Sequence, residues 1–87
     1  MREQERQVLE KAIKTINIMI ESEIKEGVNT KFCMMYLEDT INDLIGYASI
    51  QYRFAGMKER DFEEFYYIVN EFYRVMYHKI NNAEKNL

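Results

Sequence analysis

The sequence predicts an all-α protein: an antiparallel, up-down-up three-helix bundle, completed by dimerisation. Three observations lead there. Apolar residues recur at steps of three and four along nearly the whole chain, which is the helical period. Only glycines interrupt that pattern. Two of the three segments also carry more apolar side chain than one small core can cover.

The first segment, about 3–26, places Leu9, Ile13, Ile16, Ile20 and Ile24 on one face, flanked by Val8, Ala12 and Met19. The second, about 30–55, carries Met34, Leu37, Ile41, Leu44 and Ala48, continued by Tyr52 and Ala55. The third, about 60–83, carries Phe62, Phe65, Val69, Phe72, Met76, Ile80 and Ala83. Gly27 before Val28 and Gly56 before Met57 read as left-handed residues closing a helix, each followed by an apolar residue as in the Schellman arrangement. Asn29 or Thr30 supplies the next N-cap. Asp61 and Glu64 read as a variant of the capping box, which leaves Met57 to Arg60 as either a turn or the first helical turn. Gly46 falls inside the second helix at a cost of ~1 kcal/mol, which implies a close helix contact or a kink. Short connections make sequential helices antiparallel neighbours within one domain, 1–87.

A bundle helix needs an apolar stripe a little over ~100° wide. The first segment spans about 160° and leaves only Ile18 outside. The second spans about 220°, because Phe32, Tyr36, Tyr47, Ile50 and Phe54 form an additional stripe. The third spans about 200°, with Tyr66, Tyr73 and Tyr77 beyond the seam. Tyrosine, phenylalanine and methionine are enriched at interface centres. The candidate interface is therefore Tyr36, Tyr47, Ile50, Phe54, Tyr66, Tyr73 and Tyr77, with Asp43 as a candidate polar anchor among the rings of the second helix. Tyr67 lies with Glu64, Glu71 and Arg74 on the wet side. Self-association is the first expectation, since two-fold dimers are the commonest oligomers.

Composition narrows the function classes. The net charge of −3 is spread evenly along the chain, so no concentrated basic surface for nucleic acid is expected. No apolar run reaches the ~20 residues of a membrane span, and no leader-like segment opens the chain, so a cytoplasmic location is expected. Cys33, the single cysteine, reads as a small core residue. The only histidine, His78, follows Glu71 and Glu64 at seven-residue steps, about 10 Å apart along a helix and too far for one ion. No catalytic residue, metal site or cofactor is expected. The expectation is a non-enzymatic protein–protein interaction module, a small regulator or inhibitor of a host protein, phage- or mobile-element-encoded in its most concrete form. Its partners would be itself and a second protein. The rival reading is a binder of a nucleotide-like ligand in an aromatic pocket between subunits, and a third is a small structural subunit of a larger complex.

Overall fold

The computed structural model describes residues 1–27 and 29–85, which form a three-helix bundle with no strand among them. The helices are α1 (Glu3–Lys25), α2 (Thr30–Phe54) and α3 (Glu59–Lys85). Together they make a rod of 46 × 17 × 15 Å with a radius of gyration of 14.2 Å. A compact chain of this length would have a radius of gyration of about 12 Å. Long helices in a thin bundle leave little interior per residue, and that shape governs how much apolar surface stays outside.

The helix ends follow from local chemistry. Gly27 and Gly56 adopt φ of 75° and 77°, the left-handed region that a Cβ disfavours. The Gly27 N–H donates to the Ile24 carbonyl at 3.1 Å, one of the two bonds of the Schellman arrangement. The apolar half of that motif, Val28, lies outside the described residues. At the other end the closure is wider than expected. The Met57 N–H donates to the Gln51 carbonyl at 3.0 Å, six residues back rather than five, while the Met57 side chain is buried in the core. Asn29 caps α2, its side chain accepting from the Lys31 N–H at 2.9 Å. The capping box expected at Asp61 does not form. Helix α3 already begins at Glu59, so Asp61 sits inside its first turn and pairs with the Met1 ammonium at 3.0 Å.

The core is a single seam down the rod. Leu9, Ile16 and Ile20 of α1 meet Leu37, Ile41, Leu44 and Ala48 of α2 and Phe65, Val69, Met76 and Ile80 of α3. Cys33 rather than Met34 completes the α2 seam, because one residue's step turns a side chain about 100° around the helix. Phe62 and Phe72 are half-buried and pack against the seam's edge. Burial raises the pKa of the Cys33 thiol, helped by the nearby Glu23, so the group stays protonated and is not an activated nucleophile.

The least expected core member is charged. Glu5 is 0% exposed. The Arg2 guanidinium engages its Oε1, and also donates to the Ala55 carbonyl at 3.0 Å and the Gln51 side chain at 3.4 Å. Arg2 thereby satisfies a carbonyl left over at the C-terminal end of α2, where positive charge is favoured. The buried Glu5 Oε2 and Tyr47 hydroxyl have no hydrogen-bond partner among the described residues. The other end of the bundle is tied by Lys79, which donates to Asn17 at 3.4 Å and pairs with Glu21.

Gly46 marks neither a close contact nor a break. Helix α2 runs through it unbroken, and a Cβ built there would meet nothing within 4 Å. Gly46→Ala is therefore expected to raise the unfolding free energy of the isolated chain by about 0.5–1 kcal/mol, measured by urea denaturation at low protein concentration.

Candidate interaction surface

The eight candidate residues do not share one face: they divide between two flanks of α2, its outer face and, for Tyr47, the core. Along the α1–α2 side, Tyr36 and Thr40 form one wall of an open groove of about 340 Å³ whose other wall is Val8, Ala12, Thr15 and Met19 of α1. Phe32 extends that wall, its ring 5.6 Å from the Tyr36 ring. Phe54 repeats the Tyr36 position five turns later and is 82% exposed; Ile50, just beside it on the helix, is 58% exposed. Tyr47 turns inward. Its ring sits 6.0 Å from the Phe65 ring, so its apolar part belongs to the core. Asp43 is exposed and accepts no hydrogen bond from a tyrosine among the described residues.

The tyrosines of α3 line the opposite flank. Tyr73 and Asn70 face Glu38, Ile41 and Asn42 of α2 across a second hollow of about 280 Å³. Glu38 and Tyr36 are about 160° apart around α2, so the two hollows do not merge. Along this flank the rings form two runs. Tyr52 stacks at 5.2 Å on Phe62, and Phe62 lies 6.2 Å from Tyr66. Further along, Tyr73 lies 6.0 Å from Tyr77, which meets the edge of His78 at 6.0 Å. Tyr66 and Tyr77 stay open to solvent, while Tyr73 is half-buried against the core. Sequence spacing missed the parts played by Tyr52 and Phe62. Both were placed in the seam, yet they tilt to its rim and continue the aromatic run. Their adjacent positions across the α2–α3 junction were the available signal.

The exposed area supports the idea of surplus surface. The chain exposes 6164 Å². A folded monomer of 10.6 kDa is expected to expose roughly 5500 Å². The excess comes from the rod shape, and its apolar part is concentrated in α2 and α3.

No protein-family model matches the chain, and no match to it is found among curated proteins or solved structures. Among the described residues no group of three His, Cys, Asp or Glu side chains is placed to hold a metal ion. No described helix is long and apolar enough to cross a membrane.

Proposed function

We propose that the chain is a non-enzymatic protein–protein interaction module, a small regulator or inhibitor that acts by covering a surface of another protein. The observation that carries this reading is the aromatic run on the α2–α3 flank, Tyr52, Phe62, Tyr66, Tyr73 and Tyr77. Each ring is propped by a neighbouring ring or by the core, so little side-chain freedom remains to be lost on binding. Each tyrosine presents an apolar body with a hydroxyl at its tip, the combination that favours tyrosine at interface centres. In this reading the helices run up-down-up, with α1 and α3 in one direction. The pairing of Met1 with Asp61 and of Lys79 with Glu21 supports that path.

The test compares the wild type with the double variant Tyr66→Ala, Tyr77→Ala. A partner recovered with the tagged wild type is purified and titrated against both proteins by calorimetry. The double variant is expected to keep its helical circular dichroism and to bind at least about tenfold more weakly, as loss of buried aromatic anchors does. Equal binding by both proteins overturns the reading. A melting temperature that climbs with nucleotide concentration would replace it with small-ligand binding, because a true ligand stabilises by mass action.

A further inference from the structure

On the outer face of α2, between the two flanks, six residues share about 80° of arc: Met35, Asp39, Asp43, Gly46, Ile50 and Arg53. All six are exposed, and none touches α1 or α3 through an ion pair among the described residues. Three features of this face are unfavourable in the isolated chain. Met35 and Ile50 are 62% and 58% exposed. Asp39 and Asp43 are like charges one turn apart, an arrangement that destabilises a helix. Gly46 costs helix stability with nothing packed on it.

We propose that a second copy of this chain covers the face, with the two α2 helices antiparallel and the two-fold axis passing at Gly46. This rests on the reading of the chain as an interaction module and names one of its partners. Two independent positions coincide on this face. In a two-fold antiparallel pair, a residue n positions before the axis faces the residue n positions after it on the other copy. Asp39 and Arg53 lie seven residues either side of Gly46, so each Asp39 faces the partner's Arg53, about 10 Å from the crossing on either side. Of the two opposite-charge pairings this face offers, Asp39 with Arg53 has its midpoint on Gly46, the one glycine of the face, whereas Asp43 with Arg53 would centre on Ala48, which is buried in the core. Asp43, one turn from Asp39, also comes under the partner's Arg53, which removes the like-charge penalty. Ile50 of each copy lies one turn from the crossing, beside the partner's Gly46, and Met35 and Phe54 extend the contact outward. A parallel pair would set Asp39 against Asp39 and Arg53 against Arg53, so the charges select the antiparallel arrangement.

The experiment is sedimentation over a wide concentration range on the full chain and four variants, with circular dichroism as the folding control. Wild type is expected to show a reversible monomer–dimer equilibrium that weakens with salt. Asp39→Arg and Arg53→Asp should each weaken the dimer roughly tenfold or more, because each sets like charges face to face. The double exchange, Asp39→Arg with Arg53→Asp, should restore wild-type affinity. Gly46→Leu should weaken the dimer at least about tenfold, since a side chain at the crossing forces the helices apart from their usual close spacing of ~8 Å. A wild type that stays monomeric throughout overturns the proposal. So does a dimer in which the double exchange is no better than the single ones. Either result leaves the α2–α3 aromatic flank untouched, because Tyr66 and Tyr77 lie on another face and are read by their own titration.

Discussion

Phe65→Ala is expected to cost about 3–5 kcal/mol, the largest loss from any single truncation of the bundle. Phe65 is 0% exposed and lies at the centre of the seam, with the Tyr47 ring against it and Val69 beside it on α3. Truncation removes a large ring from a rod only 17 Å by 15 Å across, where few neighbours can move in to fill the void. A chain of this length has a total stability of roughly 4–13 kcal/mol, so the variant forfeits a large share of it. At about 4–8 °C per kcal/mol, thermal melting followed by circular dichroism should fall by tens of degrees. Phe72→Ala should cost distinctly less, because Phe72 only borders the seam. Comparable losses for the two would mean that the seam is centred elsewhere on α3.

Arg2→Ala should be the most damaging substitution of an exposed residue. The guanidinium is the only partner of Glu5 among the described residues, and Glu5 is fully buried beneath it. Removing the cation strands a carboxylate inside the bundle and also releases the Ala55 carbonyl at the end of α2. Removing both members is a different matter, since an apolar pair of similar shape avoids the desolvation of a buried charge. The ordering expected in urea denaturation is therefore Arg2→Ala well below the double variant Arg2→Ala, Glu5→Leu. The double variant should approach or exceed wild type. If the single and double variants unfold at the same urea concentration, the burial of Glu5 carries no penalty and the clasp is ornamental.

Much of the core was legible because helical periodicity records it directly. Leu37, Ile41, Leu44 and Ala48 step by three and four, and Phe65, Val69, Met76 and Ile80 by four and seven. Gly27 and Gly56 were equally plain, since so little else in the chain tolerates positive φ. Glu5 was not legible. An acid in the first turn of a helix is favoured by the macrodipole on the surface, and nothing local shows that Arg2, bonded to Ala55 and Gln51, will close over it. Gly46 was readable only in part for a related reason: a spacing pattern says where a glycine lies on the helix, not whether another element of the same chain reaches it. The candidate tyrosines lie in three settings: Tyr36 on the α1 side of α2, Tyr66, Tyr73 and Tyr77 on the α3 side, and Tyr47 turned toward the core. A wheel drawn for one helix fixes angles within it and says nothing about which side of that helix its neighbour occupies. Tyr36 and Tyr66 consequently looked like parts of one patch until α1 and α3 were in place.

The helices do not share their packing equally. α2 and α3 lie most closely together, and α1 rests on each of them more lightly. Besides Leu9, Ile16 and Ile20 in the core, it is tied by polar contacts at its ends, through Arg2 and Met1 at one and Glu21 at the other, all to residues distant in sequence. A bundle held this way need not open all at once. α1 can lift as a unit while the α2–α3 pair stays folded, because the amides of each helix are satisfied within it. Native-state hydrogen exchange should then resolve two cooperative units, with α1 amides losing protection at a lower free energy than those of α2 and α3. The same inequality predicts a folding order, with the α2–α3 pair forming first and α1 docking onto it, which would show as higher φ-values in α2 and α3 than in α1.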